Sequence, residues 1–242
     1  MPEYLTPGVY IEEVSAGARP VESVGTRTAA FIGIANTAQA RSGEAVGLVN
    51  WGEYRRIFAD GATKATPLTN AVFGFFLNGG ARAYVVNIAN AGELPAALRI
   101  LSGIDDIALV AAPGLSDPAT SDALLSHCEA SGTCFAIIDG PAEVSDINAL
   151  IKVGTVVADG PAADGDKKPR SGGSGAYKPR ESERGYGAFY HPHVLVRDAL
   201  DPTKIVATPP SGHIAGMFAR NDAERGVFKA PANMSVRGAL GL

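Results

Sequence analysis

Several signals that would mark a secreted scaffold, a membrane protein or a common enzyme are missing from this sequence. It holds two cysteines, Cys128 and Cys134. Their spacing is not Cys-x-x-Cys, and two thiols cannot build a disulfide framework. They read as small buried apolar residues in a reducing compartment. No charged-then-apolar leader stands at the N-terminus, and no apolar run approaches ~18 residues. The expectation is a chain made and kept in the cytoplasm, with no direct membrane insertion. A surplus of positive charge is absent too: 21 Lys and Arg stand against 25 Asp and Glu, a net charge of −4. Nucleic acid as a main partner would favour a basic face.

Chemical motifs are equally sparse. There is no Gly-x-Ser-x-Gly elbow. Gly172-Gly-Ser-Gly lacks the Gly-Lys-Ser/Thr ending of a phosphate loop, and no strand precedes it. His191 and His193 would share a strand face, but a metal needs third and fourth ligands that are not nearby in sequence. Asp139-Gly-Pro falls at the end of a predicted strand, where α/β enzymes keep catalytic groups; a strand-end turn accounts for it equally well. Ser211 and His213 share one turn, which does not make a triad, and His213 reads as a helix-start residue bonding to backbone. No catalytic, metal or cofactor-binding set is assigned. An α/β hydrolase-like enzyme with an unrecognised site stays open as the alternative function.

What is present is an ordinary globular composition, 46% hydrophobic and 19% charged over 242 residues. Val9-Tyr-Ile-Glu-Glu-Val suits an extended strand within an N-terminal arm and loop, 1–25. It could pair in its own domain or add to a neighbouring subunit. Residues 26–157 read as an α/β body. Strands are expected at Thr28–Ile34, Ala83–Ile88, Ile107–Ala111 and Phe135–Ile138. Helices are expected at Trp51–Phe58, Pro67–Leu77, Leu94–Leu101, Pro118–Glu129 and Glu143–Val153. Asn36–Gly47 reads as a loop. Strands alternating with helices predict a mixed, mainly parallel sheet covered on both faces. From 158 to 185 the apolar period vanishes in a Gly-, Pro- and charge-rich run, read as an exposed, mobile insertion or linker. Gly187–Val196 returns to strand composition.

The densest punctuation lies between Pro209 and Asn233. Pro209 and Pro210 exclude a helix upstream. Ser211 is a natural N-cap, and Ile214, Met217 and Phe218 follow at i, i+3, i+4. Gly212 and Gly216 leave bare backbone suited to close approach by another segment. The helix should end after Asp222. Arg225-Gly226 then turns the chain, and Lys229-Ala-Pro231-Ala-Asn233 makes a rigid bend.

At these residues the chain resembles the contractile tail sheath proteins of bacteriophages and related injection systems. The resemblance rests on Pro-Pro-Ser-Gly-His-Ile-Ala-Gly from Pro209, the Glu224-Arg-Gly turn and Lys-Ala-Pro-Ala-Asn from Lys229. Thr6-Pro-Gly-Val-Tyr-Ile-Glu-Glu, Thr28-Ala-Ala-Phe-Ile-Gly and Asn78-Gly-Gly-Ala-Arg-Ala-Tyr-Val-Val add to it. It implies a sheath core with a subtilisin-like arrangement that lacks the protease triad, and a structural, non-enzymatic subunit. That subunit would form hexameric rings and a helical assembly around an inner tube, contracting to drive the tube through a target envelope. Implied partners are other sheath subunits, the inner tail tube, and baseplate and terminator components. The implied location is the cytoplasm during assembly, then a virion or injection particle. Val9, Tyr10, Ile11 and Val14 would form the inter-subunit arm. Pro210, Ser211, Gly212, His213, Gly216, Arg225, Gly226, Lys229, Pro231 and Asn233 would carry the family's motif packing. The family runs well past the Ala-Pro-Ala-Asn stretch, so 186–242 is expected to be the start of an incomplete C-terminal sheath domain.

Overall fold

The computed structural model describes residues 27–37, 39–154 and 176–242. The expected arm at 1–25, with Val9, Tyr10, Ile11 and Val14, lies outside the described residues, as does most of the expected linker.

Two sheets organise the described residues. The first has six strands: β1 (Thr28–Gly33), β2 (Ala45–Leu48), β3 (Arg82–Asn87), β4 (Leu109–Ala111), β5 (Phe135–Asp139) and β6 (Gly187–Tyr190). Their order is β2-β3-β1-β4-β5-β6. Only β2 runs antiparallel to its neighbour; the other pairs are parallel. The fold is therefore α/β on a mixed, mainly parallel sheet. Side chains alternate across it, as the two-residue period of a strand requires. Ala29, Phe31, Val85 and Ile137 face one core, while Ala30, Ile32, Val86 and Ile138 face the other. The first core is covered by α1 (Trp51–Phe58), α2 (Pro67–Leu77) and α5 (Ser211–Glu224), the second by α3 (Leu94–Leu101) and α4 (Pro118–Ser131).

Local chemistry starts most of these helices. Asn50, Thr66 and Asp117 each accept a first-turn N–H of α1, α2 and α4 through their side chains. Pro67 and Pro118 occupy first-turn positions where a missing N–H costs nothing. Gly132 closes α4 in left-handed backbone, φ 70°.

The smaller sheet contains β7 (Val194–Arg197), β8 (Ile205–Thr208) and β9 (Ala239–Gly241), ordered β8-β7-β9 and antiparallel throughout. The single strand expected over Gly187–Val196 is thus two. The chain leaves the large sheet at His191–Pro192, a cis peptide, where proline offers no N–H to a ladder.

Three further differences have local causes. Ala45–Leu48 is β2, although the expected loop ran from Asn36 to Gly47; its Gly47 lies beneath the Tyr84 ring and breaks the apolar alternation. Glu143–Val153 holds a single 3₁₀ turn, Ile147–Leu150. Asp146 takes the Asn148 N–H in a local turn, and Ile147 and Ile151 face outward, so no apolar stripe is left to bury. Residues 176–185 are packed against the body, although they belong to the stretch read as an exposed linker. Tyr177 N–H donates to Ala149 O and Lys178 N–H to Lys152 O, each at 3.0 Å. Arg180 reaches α4, bonding the carboxylates of Asp122 and Glu129 and the Ser126 hydroxyl.

Candidate functional site

The Pro209–Asn233 stretch becomes α5 and the turns after it, and α5 lies directly against α2. The contact is backbone to backbone. A Cβ on Gly212 would stand 2.1 Å from Ala71 O, and one on Gly216 2.5 Å from Phe75 O. The reverse contact exists as well, since a Cβ on Gly74 would meet the His213 ring at 2.5 Å. Three glycines from two helices thus interlock at one crossing, where larger side chains would hold the axes apart.

Ser211 is the first helical residue of α5, and Pro210 occupies the cap position without a side-chain bond. This corrects the N-cap reading of Ser211. The orphan donor is satisfied from outside: Asp139, the last residue of β5, accepts the Ser211 N–H at 2.9 Å and its hydroxyl at 2.5 Å. Asp139 is buried, and desolvation outweighs both hydrogen bonds, so its carboxyl is pushed up to about 7. One polar pair therefore joins the end of β5 to the start of α5.

His213 is 1% exposed, and burial pushes it down to about 4. Its Nδ1 has no hydrogen-bond partner among the described residues, which corrects the expected bond to backbone. The ring is a wedge between α2 and α5 and lines a cavity of about 280 Å³ with Phe73, Leu77, Val196 and Leu240. Ser211 thus gives its proton to a carboxylate rather than to a histidine. His193, held below its usual range chiefly by burial, contacts Gly140 O at 3.2 Å. Among the described residues no group of three or more His, Cys, Asp or Glu side chains could hold a metal.

The residues after α5 are tied back across the same seam. Asn221 Nδ2 donates to Lys229 O, and Arg220 Nη2 donates to Ser235 O at 2.7 Å. Asn78 grips Arg237 twice, accepting its N–H at 2.8 Å and donating to its carbonyl at 3.1 Å. Gly226 (φ 89°), Asn233 (φ 58°) and Gly238 (φ 84°) make the left-handed turns of this path. Arg225 and Lys229 are exposed and Pro231 is half-buried. The path ends with β9 on β7. Val227 and Phe228 project outward, 66% and 88% exposed, and so do Leu240 and Leu242.

Sequence reading did not find Asp139, Gly74 or Asn78 as members of this seam. Asp139 lies 72 residues from Ser211 and Asn78 lies 159 from Arg237, so no local pattern joins them. A local signal was available only on α5, in its glycine spacing.

Comparison with known proteins bears on what such a seam serves. Residues 89–242, more than half of the chain, match the family described as phage tail sheath protein central domain. No curated protein sequence matches. Among solved structures, the chain resembles the anti-feeding prophage helical sheath in its contracted state, with 25% identity, TM-score 0.59, 98% of this chain and 58% of that one. It also resembles the PVC sheath complex of an extracellular contractile injection system, contracted, at 23% identity, TM-score 0.64, 99% and 56% coverage. The anti-feeding prophage baseplate matches at 23% identity, TM-score 0.59, 99% and 59% coverage. The chain spans less than two thirds of the length of these solved chains.

Proposed function

The chain belongs to the phage tail sheath protein family, and from that premise we propose that it is a structural subunit that assembles with other sheath subunits around an inner tube and contracts to drive it through a target envelope. The observation that carries the reading is the glycine seam between α5 and α2. Beside it, Asp139 ties α5 to β5 and Asn78 ties α2 to the chain after α5, giving a body rigid enough to be moved as a unit. A contracting lattice needs such bodies, because strain must be released between subunits rather than absorbed within them. The exposed Val227, Phe228, Leu240 and Leu242 supply apolar surface for association. Neighbouring sheath subunits, the tube, and baseplate and terminator components are the partners of this reading. The assembled phage or injection particle is its location, after assembly in the cytoplasm. Among the described residues no helix is long and apolar enough to cross a membrane.

The motif residues Pro210, Ser211, Gly212, His213 and Gly216 act here as packing elements, and Val9–Val14 as the arm that adds to a neighbour's sheet. The test is co-assembly with a full-length sheath protein, viewed by negative-stain electron microscopy. Tubes that incorporate the chain are expected, and deleting residues 1–14 should abolish incorporation while leaving the melting transition intact. Failure of the intact chain to enter tubes would count against the proposal. The same reading assigns no catalysis, and stoichiometric labelling of Ser211 by a fluorophosphonate would overturn that part.

A further inference from the structure

Cys128 and Cys134 stand on either side of the turn that joins α4 to β5. Gly132 ends α4 with its N–H on Cys128 O at 2.8 Å, and Cys134 follows one residue before β5 begins. The turn brings the two free thiols into a sulfur–sulfur hydrogen bond at 3.2 Å. A disulfide places its sulfurs about 2.05 Å apart, so closure asks for movement of about 1 Å. The contact with Cys128, first, and then the neighbouring His127 hold Cys134 below the usual thiol range, while the same contact holds Cys128 above it. Cys134 is 5% exposed and Cys128 0%. The residue with the more acidic thiol is also the less completely buried of the two.

We propose that Cys128 and Cys134 are a reversible oxidation site for hydrogen peroxide, independent of the assembly reading. The Cys134 thiolate attacks one peroxide oxygen. An S–O bond forms, the O–O bond breaks, and the departing hydroxide takes up the proton released by the thiol, giving water. Cys128 Sγ then attacks Cys134 Sγ. The S–S bond forms, the S–O bond breaks, and hydroxide leaves with the Cys128 proton as a second water. Two thiols and one peroxide become one disulfide and two waters; the sulfurs lose two electrons and the peroxide gains them. Burial of Cys134, 5% exposed, favours a small oxidant over a bulky one such as glutathione disulfide. The product ties the C-terminal end of α4 to the entrance of β5, the strand beside the edge strand β6.

Both thiols fall in one tryptic peptide, Ile100–Lys152, which makes the test direct. The folded chain is treated with hydrogen peroxide, quenched with catalase, denatured and alkylated with iodoacetamide. The expected peptide is two hydrogens lighter and carries no alkyl groups, and dithiothreitol restores two alkylation sites. Cys128→Ser should leave Cys134 as a sulfenic acid that dimedone traps, whereas Cys134→Ser should oxidise about tenfold more slowly than the wild-type pair. Two alkylated thiols after a dose that oxidises a free cysteine peptide would overturn the proposal. So would sulfinic acids without a disulfide, or a disulfide between chains. Equal oxidation by glutathione disulfide would overturn the selection for a small oxidant.

Discussion

Asp139 and His213 are both buried in the α5 region and respond to pH in opposite directions. Asp139 rises from an ordinary 3.8 to about 7, so the folded state keeps a proton that the unfolded chain releases. Its contribution to stability is complete below pH 4 and is lost as the pH climbs towards 7. His213 drops from 6.5 to about 4, so the unfolded chain binds a proton that the folded state refuses. Its contribution is complete above pH 6.5 and is lost as the pH falls to 4. The shifts correspond to about 4 kcal/mol for Asp139 and about 3 kcal/mol for His213, and over pH 4–6.5 the two largely cancel. Asp139→Asn removes one side of the balance. Its unfolding free energy, from urea titrations between pH 4 and 7, should fall by about 3 kcal/mol more than the wild type's on acidification. His213→Gln should instead leave a protein that loses stability as the pH rises. Equal slopes in the wild type and the Asp139→Asn variant would sink this account.

At the scale of elements, the α2–α5 crossing and the Arg180 clamp make separate predictions. Gly212→Ala puts a methyl group 2.1 Å from a backbone oxygen that cannot rotate away, so the helices must separate. A loss of ~1–3 kcal/mol or more is expected in denaturant melts. Gly103→Ala, whose new methyl would sit 3.6 Å from its nearest neighbour, should stay within about 0.5 kcal/mol of wild type. Arg180→Ala removes the link from residues 176–185 to α4. Hydrogen exchange at the Tyr177 and Lys178 amides should accelerate at least tenfold, with α2 unchanged. Unchanged exchange at those amides would show that the backbone bonds suffice without the ion pairs. Helices α1, α2 and α4 were legible because their starts are local events: Asn50, Thr66 and Asp117 each cap within three residues. The strands β2, β8 and β9 were not. They span three or four residues, and β2 and β9 exist through partners far along the chain, such as Val196 for Ala239. For the candidate site, the bare backbone of α5 was visible in its glycines, but its counterpart on α2 was not. Arg180 read as a solvated charge because its partners Asp122 and Glu129 lie more than fifty residues away.

For the whole molecule, the outward Phe228 separates folding from association. It is 88% exposed, so Phe228→Asp should leave the melting midpoint nearly unchanged, within about 0.5 kcal/mol. The same variant should enter sheath tubes less efficiently in the co-assembly experiment, since it places a charge in the surface proposed to associate. Normal incorporation would move the contact elsewhere. The fastening of Arg237 to Asn78 has a mechanical meaning. A pull applied at Leu242 passes through β9 to β7, and through the paired Asn78 bonds to the C-terminal end of α2. From there it reaches the large sheet through the core that α2 shares with it. Tension on the tail is thus spread over two parallel load paths, and α5 is not the first element to be peeled away.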